Sequence, residues 1–266
     1  MPLNFNEAYQ HLEACFKDLS EDDGSIYLPN HFPKRTVDFV LIGMELSLSR
    51  WGGRSKAEAT ERMAEGFKEI SWSERIFKYR PSAGLLALHF SIRAYLCKDR
   101  DSFLLTDISK GAMLSRDASK QRFARYNRWF GLLKEEIALV APKGKRITVG
   151  KGVQNYISLR QPDFPIATPI VHYSALNVAG WKKEILDKEG EFHRWAPTLT
   201  VQKIEQVLRQ IMRDDGASQA IIEEQIGEVM QGIKLTDNIK RLIFGYKLKF
   251  EKLSKDGRIT YALRLP

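Results

Sequence analysis

The stretch VDFVLI, residues 37–42, is short, apolar and rich in β-branched side chains, and it ends at Gly43. This composition is typical of a strand that is buried on both faces of a parallel sheet. Residues 102–108, 146–150 and 169–171 have a similar character. We therefore predict four strands that belong to one buried sheet.

Helical segments separate these strands along the chain. Residues 55–70 have helical composition, and residues 82–96 are apolar and follow Pro81. The segment 120–140 has apolar side chains at helical spacing, namely Phe123, Trp129, Leu132, Leu133, Ile137 and Val140. Strands that alternate with helices predict an α/β fold, here a three-layer α/β/α arrangement around a mainly parallel four-stranded sheet.

The C-terminal part of the chain has a different pattern. Residues 200–212, 218–232 and 238–248 are typical of helices, and residues 250–263 suggest a hairpin that turns at Asp256-Gly257. We therefore predict an α/β domain over residues 1–197 and a small winged-helix-like accessory module over residues 198–266. Such a module either contacts DNA or a partner, or serves only as a packing appendage.

Composition limits the classes of function. The 266 residues are 43% hydrophobic and 28% charged, as in a soluble globular protein, and the net charge is +9. No apolar run approaches the roughly 20 residues that span a bilayer. The N-terminus does not resemble a signal peptide, so we expect a cytoplasmic protein. Two cysteines are too few for a disulfide framework, and no residue spacing is typical of a metal site.

The positive charges are concentrated in two parts of the chain. The first contains a single acid, Asp117, among the basic residues Lys110, Arg116, Lys120, Arg122, Arg125 and Arg128. The second flanks a predicted strand and consists of Lys143, Lys145, Arg146 and Lys151. Together they predict a surface that follows a phosphate backbone, with a solvated helix face as the alternative for each cluster.

Candidate functional residues follow the predicted strands. The sequence HYSALN, residues 172–177, comes directly after the apolar run 166–171, and Asp107 and residues 43–47 come at the ends of two other strands. In parallel α/β sheets, ligands bind beyond the carboxyl ends of the strands. A histidine at that edge can stabilise a developing anion, and a serine can hold a phosphate.

The order of these segments resembles that of the uracil-DNA glycosylase superfamily over residues 37–185. Four partial motifs support the resemblance: LIGMELS at 41–47, LTDISK at 105–110, the stretch from Pro142 to Gly152, and HYSALN at 172–177. The resemblance implies an enzyme that flips a nucleotide out of DNA and hydrolyses its glycosidic bond, leaving an abasic site. It implies no metal and no cofactor.

The resemblance also implies roles for individual residues. Glu45 would orient or deprotonate the attacking water, and His172 would stabilise negative charge on the departing base. The backbone of Gly43 and Met44 would line the base pocket, and Trp51 is a candidate stacking platform. On the DNA side, phosphate contacts are expected from Lys110, Lys151 and Ser174, and Leu176 would fill the space that the flipped base leaves.

Three positions depart from the family pattern. Glu45 stands where the best-known members have aspartate. Ser47 stands where strict uracil enzymes have a tyrosine that blocks C5 of the pyrimidine, and Asp107 stands where the family commonly has the asparagine that recognises uracil. A neutral carboxylic acid complements the N4 donor and N3 acceptor of cytosine, and burial would raise the pKa of the aspartate. Asp107 and Ser47 therefore predict a cytosine with a C5 substituent.

The leading hypothesis is a monomeric glycosylase for hydroxymethylated or glucosylated cytosine in phage DNA, acting as an antiviral defence. A repair glycosylase for uracil or deaminated bases and an inactive DNA-binding protein on the same fold are the alternatives. Individual residues also have structural interpretations. Asp107 can cap a helix or bind an arginine, His172 can be a structural histidine, and Glu45 can be a surface acid.

Overall fold

The chain forms two compact units. The first takes its described residues from Met1–Glu69 and Asp101–Pro169, and the second from Ile70–Arg100 and Ile170–Pro266. The predicted domain boundary at 197/198 therefore falls inside the second unit. The computed structural model describes residues 5–27, 36–47, 58, 82–98, 102–160, 162–174, 177–214, 216–232 and 234–254.

Five strands form one mainly parallel sheet in the order β1-β3-β2-β4-β5. Strand β2 is parallel to both β3 and β4, and β1 is antiparallel to β3. Their bounds are β1 Ile26–Tyr27, β2 Phe39–Ser47, β3 Phe103–Met113, β4 Lys145–Val149 and β5 Thr168–Ile170. The four predicted strands are confirmed, and the two-residue β1 makes the sheet five-stranded instead of four-stranded.

Ten α-helices are present among the described residues. In chain order they are α1 Phe5–Asp22, α2 Ala83–Ser91, α3 Ser115–Lys120, α4 Arg122–Val140, α5 Lys151–Arg160, α6 Val178–Glu184, α7 Glu189–Trp195, α8 Val201–Asp214, α9 Gln219–Gly232 and α10 Asp237–Leu253. A π-helical turn, Ile92–Leu96, continues α2, and the short 3-10 turns Leu186–Lys188 and Ala196–Thr198 flank α7. The chain is therefore α/β and mostly helical.

The core of the first unit lies between the sheet and helices α4 and α5. Apolar side chains of β2 and β3 pack in one cluster with side chains of α4 and α5, and the cluster includes Val40, Ile42, Leu104, Ile108, Tyr126, Phe130, Leu133, Ile137, Val153, Tyr156 and Ile157. These strand residues are spaced two or four apart, so they share one face of the sheet. Helix α1 adds Leu12 and Phe16, which pack against Trp129 of α4.

The register of β2 and β3 places the candidate residues side by side. Gly43 is opposite Asp107, and Glu45 is opposite Ser109. Beyond that point the register shifts. Ser47, two residues after Glu45, is opposite Met113, which is four residues after Ser109, so β3 accommodates extra residues. A bulge of this kind redirects side chains and is common beside functional sites. Glu45 therefore lies at the last regular pair of the two strands.

The second unit is helical apart from the end of β5. Helix α10 packs against α2 and α6, and its buried side chains include Leu242, Ile243, Tyr246, Phe250 and Leu253. The three predicted C-terminal helices are confirmed as α8, α9 and α10. The predicted hairpin is wrong where it begins, because α10 continues through Leu253, and residues 255–266 lie outside the described residues. None of the described helices has the length and apolar character that crossing a bilayer requires.

Candidate functional site

A cavity of about 340 Å³ opens at the carboxyl edge of the sheet in the first unit. The chain runs from β2 to β3 on one side of β2, whereas β4 lies on its other side. Ligands of parallel α/β sheets bind at such a change of direction. The cavity lies there, since its wall includes Met44 near the end of β2 and Gly152 just after β4. It is lined by Met44, Ser119, Lys120, Gln121, Arg122, Phe123, Ala124, Tyr126 and Gly152.

Two side chains of α4 hold Glu45. The hydroxyl of Tyr126 donates a hydrogen bond of 2.5 Å to Glu45 Oε2, and Arg122 Nη2 lies 3.2 Å from Glu45 Oε1. Arg122 and Tyr126 are four residues apart, so they share one face of the helix. Burial and the neighbouring Glu45 carboxylate raise the pKa of Tyr126 well above its usual value, so its hydroxyl stays protonated and donates.

Glu45 is therefore a fixed and nearly buried group. Its side chain is 7% exposed, which excludes the interpretation as an ordinary surface acid. The cavity wall contains both Arg122 and Tyr126, the two residues that hold it. Glu45 itself is not part of the cavity wall. A carboxylate fixed by two donors can orient a water molecule or stabilise a positive charge that develops nearby.

Asp107 lies directly over the backbone of Gly43. A Cβ atom built on Gly43 would be 2.2 Å from Asp107 Oδ1, so only glycine leaves room for the carboxyl group in this position. Asp107 lies within β3, which excludes the interpretation as a helix cap. Among the described residues, no hydrogen bond or ion pair involves the Asp107 carboxyl group. A part-buried carboxyl group without a protein partner is available to a ligand.

The surroundings of Asp107 favour its neutral form. Its pKa is raised to about 7: burial is the main cause, Lys110 acts in the opposite direction, and Glu45 and Glu136 add to the rise. The prediction that burial raises this pKa is therefore confirmed. Near neutral pH the group exists in both protonation states, so it can donate a proton in one state and accept one in the other.

Lys110 is a core residue, and this corrects the prediction that it contacts DNA. Its ammonium group lies 2.6 Å from Glu136 Oε2, and the two side chains are 2% and 0% exposed. Thr106 donates a second hydrogen bond to the same oxygen. A buried charge requires such a partner, and Glu136 is 26 positions away in the sequence. The charge of Lys110 is therefore used inside the unit.

Only part of the predicted basic surface faces solvent. Arg125 is buried and contacts Asp23, Ser109 and the Gly111 carbonyl oxygen. Lys120 and Arg128 are exposed, and of the two, only Lys120 lines the cavity.

The carboxylate of Asp23 is stabilised in its ionised form. Burial opposes the ionisation of Asp23, but hydrogen bonds from Ser25, Trp129 and Arg125 lower its pKa overall. The buried ion pair between Arg125 and Asp23 therefore stabilises the fold around the bulge of β3.

The other residues of the first unit that were predicted to belong to the site have different surroundings; they are Gly43, Met44, Ser47, Trp51 and Lys151. Met44 lines the cavity, whereas Gly43 lies beneath Asp107. Lys151 is exposed at the start of α5, where it can reach a phosphate. Ser47 pairs with Met113 through the strand backbone, but its side chain lies outside the described residues, as does the whole of Trp51.

His172 belongs to the second unit and lies in a well-anchored loop. The carbonyl oxygen of Val171 accepts a hydrogen bond from Tyr246, and that of His172 accepts one from Trp181. The imidazole ring stacks on Tyr173 with 4.4 Å between ring centroids. A Cβ atom on Gly84 would be 1.9 Å from the Tyr173 carbonyl oxygen, so helix α2 approaches this loop as closely as glycine allows.

A backbone contact selects the tautomer of His172. The Ser174 N–H donates to His172 Nδ1 over 3.0 Å, so Nδ1 is an acceptor and the neutral ring has its proton on Nε2. An imidazole in this form can donate a hydrogen bond through Nε2.

The rest of the predicted loop is described only in part. Leu176 lies outside the described residues. Asn177 is bonded through its backbone N–H to the Ser174 carbonyl oxygen, which closes the turn.

Sequence reasoning gave no site role to most of the cavity wall. Arg122 was noted only as one basic residue in a cluster, Phe123 only as one apolar residue at helical spacing, and Gly152 only as the end of a partial motif. Tyr126 was not noted. The four-residue spacing of Arg122 and Tyr126 was visible in the sequence, but their common partner was not. No group of three or more potential metal ligands occurs among the described residues.

No protein-family model, curated protein or solved structure shows a significant match to the chain.

Proposed function

We propose that this protein is a DNA glycosylase that removes a 5-modified cytosine and leaves an abasic site. Asp107 is the main support: it is a part-buried carboxyl group that has no hydrogen-bond or ion-pair partner among the described residues, and its pKa is about 7. Asp107 is in register with Gly43 on the neighbouring strand. Gly43 in turn lies two residues before Glu45, whose carboxylate is fixed. The resemblance of four partial motifs to the uracil-DNA glycosylase superfamily supports the same assignment.

Base recognition follows from the hydrogen-bonding pattern of the pyrimidine edge. Cytosine presents a donor at N4 and an acceptor at N3, whereas uracil presents an acceptor at O4 and a donor at N3. The protonated Asp107 carboxyl group offers one acceptor and one donor, which matches cytosine. Because ordinary cytosine must be spared in the host genome, selectivity requires a modification. The resemblance aligns Ser47 with the tyrosine that blocks C5 in strict uracil enzymes, so we expect a C5 substituent to be tolerated.

Hydrolysis needs a positioned water molecule and a stabilised leaving group. Water oriented by Glu45 forms a bond to C1′ while the bond from C1′ to the base nitrogen breaks, and the bonding electron pair leaves with the base. Glu45 takes the proton from water, and the carboxylate also favours the positively charged sugar. The resemblance to the glycosylase superfamily assigns to His172 a hydrogen bond from Nε2 to O2 of the departing base, and the base is finally protonated.

We also propose that the chain is a three-layer α/β/α domain with an accessory C-terminal module. DNA is held by Lys151 and Ser174, and Leu176 fills the space left by the flipped base. The protein acts as a cytoplasmic monomer against phage DNA that contains hydroxymethylated or glucosylated cytosine.

A substrate panel tests this function. Oligonucleotides with cytosine, uracil, 5-hydroxymethylcytosine or its glucoside are incubated with the purified protein, and abasic sites are detected by alkaline cleavage. We expect cleavage at a modified cytosine, no cleavage at cytosine, and a loss of two to four orders of magnitude in the Glu45→Gln variant. Release of uracil alone would instead identify a repair glycosylase. DNA binding without release of any base would identify an inactive DNA-binding protein.

A further inference from the structure

Phe123 is more exposed than its position in an apolar helical pattern suggests. The residue is 51% exposed, whereas Trp129, Leu133, Ile137 and Val140 of the predicted apolar set are buried and Leu132 is half-buried. Phe123 is also in the wall of the cavity at the carboxyl edge of the sheet. Phe123 is therefore both solvent-exposed and part of the cavity wall, where a ligand can contact it.

The ring of Phe123 is held in place from helix α5. It stacks on Tyr156 with 6.1 Å between centroids and an interplanar angle of 15°. The guanidinium carbon of Arg160 lies 4.7 Å from the Phe123 centroid and 5.8 Å from that of Tyr156. Tyr156 itself is buried and donates a hydrogen bond to Asn127. The exposed ring is therefore oriented before any ligand arrives.

The surroundings of this ring are positively charged. Arg160 and Lys151 are exposed on α5, and the side chain of Lys120, which lines the cavity, is 73% exposed. Among the described residues, the cavity wall contains no acidic residue; it contains Lys120 and Arg122, which pair with Asp117 and Glu45 outside the wall. An oriented aromatic ring beside a guanidinium group and further cations matches the alternation of bases and phosphates in a single strand.

We infer that Phe123 is a stacking platform for a nucleobase of single-stranded DNA, and that Arg160 binds the adjacent phosphate. The inference deepens the proposed function, on which it rests for the identity of the partner, because it assigns to the cavity rim the strand that flanks the flipped nucleotide. Stacking on an aromatic side chain tolerates any base, so this contact adds affinity without sequence selectivity.

Two fluorescent oligomers of equal length separate stacking from charge. One is a 12-nucleotide single strand of thymidine, and the other has the same phosphates but an abasic sugar at every position. Their affinities for the full chain are measured by anisotropy at one fixed salt concentration, because phosphate contacts depend strongly on salt. We expect Phe123→Leu to weaken binding of the thymidine oligomer about 5- to 100-fold, and binding of the abasic oligomer less than twofold.

Further variants provide the controls. Phe123→Trp retains a stacking surface and should restore binding of the thymidine oligomer. Arg160→Ala should weaken both oligomers, because it removes a phosphate contact. Leu159→Ala removes a different exposed apolar side chain, which belongs to α5. Leu159 is 82% exposed and does not line the cavity, so this variant should change neither affinity. Lys143→Ala removes an exposed charge before β4, at the opposite edge of the sheet, and should weaken both oligomers less than Arg160→Ala does.

Two results would overturn the inference. In the first, Phe123→Leu binds the thymidine oligomer as tightly as the unmodified protein does. In the second, Phe123→Leu weakens both oligomers equally, which indicates a general effect on charge or folding. The proposed function fails separately: ring-dependent binding without excision of any modified cytosine would refute the glycosylase and leave the stacking platform intact.

Discussion

Asp107 and Gly43 are paired across two parallel strands, and the Asp107 carboxyl oxygen occupies the space where a side chain on residue 43 would begin. The distance from a Cβ atom at position 43 to Asp107 Oδ1 would be 2.2 Å. The neighbouring contact, 3.4 Å to Asp107 Cγ, shows that the collision involves the end of the side chain. Any residue larger than glycine must therefore move the Asp107 carboxyl group.

Gly43→Ala should consequently impair base recognition more than folding. We expect the excision rate to fall at least tenfold, while the free energy of unfolding changes by about 1 kcal/mol or less, because a flexible side chain can move away. Excision kinetics and urea denaturation measure the two effects. The control is Gly131→Ala, where the added methyl group meets nothing within 4 Å on helix α4. An unchanged excision rate in Gly43→Ala would contradict a role for the observed carboxyl position.

The raised pKa of Asp107 predicts a specific pH dependence of stability. Its pKa is about 7 in the folded chain and about 3.9 in an unfolded chain, so between these values the folded state binds more protons. The free energy of unfolding therefore falls as pH rises through this window, by up to about 1.4 kcal/mol per pH unit from this group. Its contribution is most favourable below pH 4.

Asp107→Asn removes this titration and should therefore gain stability relative to the unmodified protein as pH rises from 4 to 7. Urea unfolding of the two proteins at several pH values measures the difference, in which the other titrating groups cancel. A difference that stays constant across this window would show that Asp107 titrates normally in the folded chain.

The hydrogen bond from Tyr126 should matter for catalysis through the position of Glu45. Tyr126→Phe keeps the buried ring but removes the donor to Glu45 Oε2. We expect kcat to fall about tenfold with little change in KM, because the hydroxyl that is removed orients Glu45, whereas the ring that lines the cavity is kept. Tyr27→Phe is the matched control, since it removes a similar bond to Glu13. Equal effects of the two variants would leave the Tyr126 contact without a catalytic role.

The buried Lys110–Glu136 pair predicts a loss of stability and not of DNA contacts. Lys110→Met leaves the Glu136 carboxylate buried without its cation, which should cost about 3–5 kcal/mol of unfolding free energy. Adding Glu136→Gln should recover part of this loss, because the unpaired charge disappears. Chemical denaturation measures both variants. Normal stability with weaker DNA binding in Lys110→Met would restore the earlier prediction that Lys110 contacts phosphate.

The sequence was sufficient for four of the five strands and for most helices, because the pattern of apolar residues determines them. The predicted bounds of these strands lie within five residues of the observed ones, since each is a short apolar run. Helix α1 was missed, although Tyr9, Leu12 and Phe16 recur at helical spacing and are buried. The C-terminal hairpin was predicted in error at its start: Tyr246, Phe250 and Leu253 extend the buried face of α10 beyond position 248.

The candidate site was only partly predictable, because its contacts join distant positions. Glu45 and Asp107 could be placed at one edge of the sheet, since the carboxyl ends of parallel strands meet there. Tyr126 lies 81 positions from Glu45, and no local pattern reveals that contact. The same holds for Lys110, whose burial depends on Glu136. Phe123 fitted the apolar period of its helix, and only the coordinates show its exposure.

The most direct test of the account is the base preference of Asp107→Asn. Single-turnover excision rates are measured for the unmodified protein and this variant on two otherwise identical oligonucleotides, one with 5-hydroxymethylcytosine and one with uracil. We predict that the unmodified protein prefers 5-hydroxymethylcytosine and that the variant prefers uracil, because an amide complements the uracil edge. An unchanged ratio of the two rates, or excision of neither base by the unmodified protein, would contradict the assignment of Asp107 as the group that recognises cytosine.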